Sequence, residues 1–177
     1  MNRSTHLDVR LSEPSYRFSP SCLLVLFISL VTLGCFSDEQ GAAEVSWALR
    51  TFSEQSPPPD LCSRSNIESI RLCWNALDPD SELLDLSCTT SFRDYPCENQ
   101  NGSTNFEIPT GRVGFWLVPI CQQSGQLIPA EEGTFRSPPA VIRDVAAGRI
   151  VSLQSHLIEV TDPDDDCGPL GCTCDPN

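Results

Sequence analysis

Eight cysteines, Cys62, Cys73, Cys88, Cys97, Cys121, Cys167, Cys172 and Cys174, restrict the fold of this 177-residue chain more than any other feature. An even number of thiols at this density suits an oxidising compartment, where disulfides persist. Zinc is the alternative. Structural zinc sites need Cys-x₂₋₄-Cys or His-x₃₋₅-His pairs, and none occurs before Cys167, so the spacing favours disulfides. Eight cysteines allow 105 connectivities in principle. The alternation of Leu84, Leu86 and Cys88 predicts a strand face that buries Cys88, with Cys62 as a plausible mate.

Cys22 and Cys35 stand apart from these eight. Residues 22–33 read CLLVLFISLVTL, an apolar run suited to the core of a signal peptide and shorter than the roughly 20 residues that span a bilayer. Leu33, Gly34 and Cys35 follow directly, ahead of the polar Ser37, Asp38, Glu39 and Gln40. This boundary resembles a bacterial lipobox, although Thr32 and Leu33 depart from its usual residues. The resemblance implies that Cys35 is diacylated and holds the chain at a membrane, the outer membrane in particular because position 36 is not aspartate. An ordinary secretory leader is the alternative. Asp8 and Glu13 are unusual in a leader and fit a translation start further downstream, at Val9 or Leu11.

Residues 1–34 are therefore expected to be a signal peptide, 35–43 a lipidated cysteine and tether, 44–160 the folded domain, and 161–177 an acidic, cysteine-rich tail. The 143 residues from Cys35 onward suit one domain. They carry eight arginines against 22 acidic residues, a net charge of −14. Such a surface repels phosphate backbones, so a nucleic-acid partner is not expected. All eleven basic residues of the chain are arginine, which excludes lysine Schiff-base chemistry and a P-loop lysine.

Within 44–160 the apolar residues alternate with period two. Val45, Trp47 and Leu49 share one strand face; Ile70, Leu72, Trp74 and Ala76 share another, with Ser69, Arg71, Cys73 and Asn75 opposite. Segment 93–105 reads as a loop, 113–120 as a central strand, 122–132 as a loop, 140–145 as a strand, and 149–160 as a long final strand. No segment holds a helical period over three turns. The expected fold is all-β, a single antiparallel β-sandwich of about seven strands.

The order Val45-Ser46-Trp47, Cys62, the Ile67–Trp74 strand, Cys88, Phe106-Glu107-Ile108-Pro109-Thr110-Gly111 and Ala147-Gly148-Arg149-Ile150-Val151 before Ile158-Glu159-Val160 resembles small envelope lipoproteins of myxobacteria. Their domains are similar to prealbumin-like or carboxypeptidase-regulatory-like sandwiches. The tyrosine that follows the glycine turn in such domains is replaced here by Arg112. The resemblance implies a fold and no activity.

Few residues suggest chemistry. His156 is the only histidine beyond the leader; strict alternation places it with Ser152 and Gln154 on a solvated face, and no Gly-x-Ser-x-Gly elbow accompanies it. Asp162, Asp164 and Asp166, with Asp165, partly mimic a calcium loop, but Cys167 and Thr173 stand where glycine and glutamate are required. The three tail cysteines either ligate a soft metal or form disulfides. Trp47 and Trp74 fall on apolar phases and are expected in the core, whereas the face of Trp116 is open. Asn101-Gly102-Ser103 is a glycosylation sequon, relevant in a eukaryotic secretory pathway.

The expected function is that of a non-catalytic, membrane-anchored envelope lipoprotein without a cofactor, which presents loops to an envelope protein or polysaccharide. The alternatives are a calcium or zinc protein using residues 162–174 and a hydrolase using His156.

Overall fold

The computed structural model describes residues 40–52, 60–78, 84–161 and 172–174. The leader, Cys35, Asp162, Asp164, Asp166 and Cys167 lie outside the described residues.

Among the described residues, ten strands form two five-stranded sheets. In the first, β1 (Gln40–Thr51) lies between β4 (Asn101–Ser103) and β10 (Ile150–Val160); β8 (Phe135–Arg136) extends the sheet beyond β10, and β5 (Ile108–Pro109) pairs with the start of β1. In the second, β2 (Ile67–Ala76) joins β3 (Phe92–Pro96) to β6 (Gly111–Gln123), which also pairs with β7 (Gln126–Pro129) and β9 (Val141–Val145). A one-turn helix α1 (Leu61–Arg64) precedes β2, and a 3₁₀ turn (Cys97–Asn99) separates β3 from β4.

The all-β expectation holds, with ten strands in place of seven. The pairing is not wholly antiparallel, because β1 and β10 run parallel from Ala42 opposite Ile150 to Thr51 opposite Val160. A parallel neighbour cannot be reached by a hairpin, so the first and last long strands meet only after the chain has built the second sheet.

Both sheets feed one buried cluster. Val45, Trp47, Leu49, Leu153, Ile158 and Val160 come from the first sheet, and Ile70, Leu72, Trp74, Val113, Phe115 and Leu117 from the second. Trp47 also donates from its indole Nε1 to the Cys97 carbonyl at 3.1 Å, so its one polar atom is satisfied inside the core. Trp116 points away from Phe115 and Leu117 and pairs across from Cys73, yet it is only 9% exposed.

Several sequence expectations are corrected. The tether was expected to reach residue 43, but Gln40 to Ala43 belong to β1. Gly41 is packed so closely against Val145 and the Ala146 carbonyl that a Cβ would collide with them. Segment 93–105 is structured, because short polar strands form wherever their backbone groups can complete a neighbour's ladder. Residues 84–88 form no strand; Leu86 is 58% exposed and Cys88 is half-buried.

The connectivity, left open by the sequence, does not join Cys62, the mate suggested for Cys88, to Cys88. Cys62 pairs with Cys97, Cys73 with Cys88, and Cys121 with Cys174. Cys73 lies on β2 with its side chain away from the core cluster, so a bridge from it fixes segment 84–91 against the outer face of the second sheet. Cys121–Cys174 ties the far end of the chain to β6. The tail is also bonded locally: Thr173 Oγ1 donates to the Thr134 carbonyl at 2.7 Å and accepts the Thr161 amide at 2.8 Å. Thus Thr173 and Cys174 are buried parts of the domain rather than a free tail.

The bridges span 15, 35 and 53 residues. On the loop-entropy account each contributes about 3–4 kcal/mol by restricting the unfolded chain. Replacing both Cys121 and Cys174 by serine is expected to lower unfolding free energy by about 4 kcal/mol, read as a fall in the urea midpoint at unchanged slope.

Candidate functional site

The outer face of the first sheet carries an open cleft of about 420 Å³, within the range of about 300–1,000 Å³ common to small-molecule sites. Two cross-strand rows make its floor. Ser103, Glu44 and Ser152 form one row across β4, β1 and β10; Asn101, Ser46 and Ser155 form the next. Gln154 completes the lining from β10. The floor therefore offers hydroxyl and carboxamide groups with a single carboxylate.

A break in alternation builds the β10 wall. Val151 and Leu153 face inward, then His156, Ile158 and Val160 do, so the inward phase shifts by one residue. Opposite this shift, the register with β1 jumps between Glu44 and Ser46: Val45 faces the two residues Leu153 and Gln154. This is a β-bulge, and it turns Ser152, Gln154 and Ser155 all to the solvent side. Gln154 takes a left-handed backbone conformation, φ 68°, which disfavours a side-chain-bearing residue by about 1–3 kcal/mol.

The carbonyls at the bulge take side-chain donors. Leu153 accepts from His156 Nε2 at 3.0 Å, and Gln154 accepts from Ser46 Oγ at 3.5 Å. A carbonyl only accepts, so the proton of the neutral imidazole sits on Nε2. Burial pushes His156 below the ordinary imidazole value; the Leu153 bond opposes that shift and the charge of Arg143 adds to it. The expectation of a solvated His156 is thus overturned: it is 9% exposed because the bulge moves it to the inward phase.

Strand β4 supplies the opposite wall and is held at both ends. Trp47 donates its amide to the Gln100 carbonyl at 2.9 Å, while Ala43 and Thr104 exchange bonds of 2.9 Å, one of them through Thr104 Oγ1. Gly102 lies over the ring of Tyr95, where a Cβ would come within 2.5 Å of the ring carbons. Burial raises the Tyr95 phenol to about 12, so it stays protonated at any physiological pH.

Further along the β1 and β10 pairing, Glu159 bonds Arg50 and Arg136, and its carboxyl is held low chiefly by Arg50. Another concavity, of about 350 Å³, adjoins the Cys62–Cys97 bridge; Glu68 and Glu98 line it without any basic or imidazole group. Among the described residues no cluster of three or more His, Cys, Asp or Glu could hold a metal. Cys174 and Cys172 are both disulfide-bonded, which removes two of the three tail thiolates from metal ligation. No helix of the described residues is long and apolar enough to cross a membrane.

Of the cleft residues, sequence singled out only Asn101-Gly102-Ser103, and those as a glycosylation sequon rather than as part of a binding site. The signal was present in β10 itself: inward Val151 and Leu153 are odd-numbered, whereas Ile158 and Val160 are even, and a strand can reconcile the two only through an extra residue.

No family of known proteins and no curated protein matches the chain. Among solved structures it is similar to a Pseudomonas aeruginosa protein provisionally described as carbohydrate binding, at 13% identity, covering 71% of this chain and 95% of that one. The TM-score of 0.33 is too low for that likeness to carry a functional argument.

Two outcomes follow from this geometry. Gly102→Val is expected to displace Tyr95 or lift β4, lowering stability by about 1–3 kcal/mol in chemical denaturation. His156, with its folded value depressed, contributes stability that is complete above its unfolded value of about 6.5 and is lost as pH falls from there through the folded value. His156→Leu should therefore flatten the pH dependence of the unfolding midpoint in that window.

Proposed function

We propose that this chain is an exported, non-catalytic binding module of a bacterial cell envelope, anchored in the outer membrane through an acylated Cys35, whose cleft on the first sheet takes a neutral polysaccharide. The cleft carries the reading. Its two rows offer donors and acceptors across three strands with one carboxylate and no basic group, a surface that matches uncharged hydroxyl-rich ligands and disfavours anions.

The strained bulge supports the same reading. A glutamine held at φ 68° is retained at a cost that glycine would avoid, and its side chain lines the cleft. Strain of this kind concentrates at functional sites. The expected sandwich architecture is consistent with two sheets sharing one core, and the bonded loops around it suit a rigid scaffold. Three disulfides with both cysteines described suit an oxidising compartment, and the apolar leader before Cys35 supplies the route there.

A non-catalytic role is supported by His156. His156 faces inward, is buried and does not line the cleft, so it is poorly placed as a general base for a ligand there. The tail-metal alternative loses Cys172 and Cys174 to disulfides.

Titration with soluble neutral polysaccharides, followed by amide NMR, tests the cleft. Shifts confined to residues 44–46, 101–103 and 152–155, abolished by Ser46→Trp, are the expected result; shifts elsewhere, or binding untouched by that substitution, count against it. Gln154→Gly separates function from stability, since it should raise stability by about 1 kcal/mol while weakening binding. Intact mass of membrane-extracted protein reads the anchor: an unacylated Cys35, or cleavage elsewhere, removes it from the proposal.

A further inference from the structure

The bulge in β10 does two jobs that the sequence cannot assign to either of its strands alone. It returns Ile158 and Val160 to the core, and it turns three polar side chains out to the cleft. What fixes its shape is therefore also what fixes the cleft wall. The core requirement sets where the extra residue falls but leaves the rotation of the peptide planes at 153–155 to local bonds.

His156 makes the bond best placed to do this. Its Nε2 reaches back three residues to the Leu153 carbonyl at 3.0 Å, closing a ring of chain that contains Gln154 and Ser155. The other bond at the bulge, Ser46 Oγ to the Gln154 carbonyl, is 3.5 Å long and exposed, so it constrains less. Trp47 lies opposite His156 on β1, and Arg143 of β9 is the charged group whose field reaches the imidazole. The ring thus lies between apolar packing and a like charge, surroundings that suit the neutral form.

We propose that His156 is a positioning residue for the cleft: its bond to the Leu153 carbonyl locks Ser152, Gln154 and Ser155 in the binding arrangement, and acid releases them. Protonation strengthens the Nε2 bond to the Leu153 carbonyl, but it also adds a second proton at Nδ1 and a full charge in a buried place beside Arg143, and burial is the larger effect. The imidazolium gains by moving towards water, and that movement withdraws Nε2 from Leu153. Ligand retention at neutral pH and release in acid, below the ordinary imidazole range, follow. This rests on the cleft being the binding site, whereas the locking of the bulge does not.

The test therefore has a ligand-free arm. Amide exchange of residues 152–156, corrected for intrinsic rates, is measured at about pH 7.5 and about pH 5 in the full chain, with Leu72 and Leu117 as reporters of the core. In the unmodified protein, protection at the bulge is expected to fall about tenfold or more at the lower pH while the core reporters hold. His156→Gln supplies a carboxamide donor that does not titrate; it should keep the bulge protected at both values. His156→Leu should leave it unprotected at both. An equal pH response in the unmodified protein and His156→Gln overturns the proposal, and this comparison decides even where His156→Leu fails to fold. Binding of a soluble neutral polysaccharide forms the second arm. Absence of binding at both pH values, with the exchange results as expected, refutes the cleft ligand and leaves the lock standing. Binding that is pH-independent in the unmodified protein refutes release by acid.

Discussion

The parallel pairing of β1 with β10 is the contact on which the rest of the domain depends. It joins the first strand to the last, from Ala42 opposite Ile150 to Thr51 opposite Val160, and it lies between β4 and β8. Val45, Trp47 and Leu49 from one strand and Leu153, Ile158 and Val160 from the other give the first sheet its buried face. Because so many residues separate the two strands, their union carries a large closure entropy, which the second sheet and the disulfides reduce by holding the intervening chain compact.

Within that pairing, a conflict between two periodicities is resolved at one place. Eleven residues of β10 must present apolar side chains to the core at both ends, but the odd phase that suits Val151 and Leu153 would bury Glu159 at the other end. Glu159 instead faces outward to Arg50 and Arg136. The bulge is what permits this, and its by-products are a buried histidine and a cluster of outward polar groups. The cleft is thus a consequence of how the core was satisfied, not an addition to it.

The second sheet is fastened from both sides. Its inner face joins the shared core, while its outer face receives the Cys73–Cys88 bridge and the packing around Trp116. At the β3 edge, Arg71 makes two bonds to Asp94 at 2.7 and 2.9 Å and lies 3.8 Å over the Phe92 ring. Such a planar cation fits the carboxylate and the aromatic ring together, which lysine could not do as well. This pair braces β2 against β3 across the outer face of the sheet.

The sequence by itself determined the all-β class and the long strands, because Val45 to Leu49, Ile70 to Trp74 and 113–120 bear apolar residues whose spacing leaves few alternatives. It also placed Trp47 and Trp74 in the core. The short strands at Phe92–Pro96 and Asn101–Ser103 were not legible, since their residues are largely polar and their order comes from neighbours' ladders rather than from their own burial. Cysteine pairing was likewise undecided, because a disulfide depends on distances between Cα atoms that spacing along the chain does not fix. The position of His156 was misread for a related reason: strict alternation is local, whereas a bulge arises only when two distant strands must share a register. Tertiary structure alone therefore decided the parallel closure, the bridges and the cleft, all of which are relations between segments far apart in the chain.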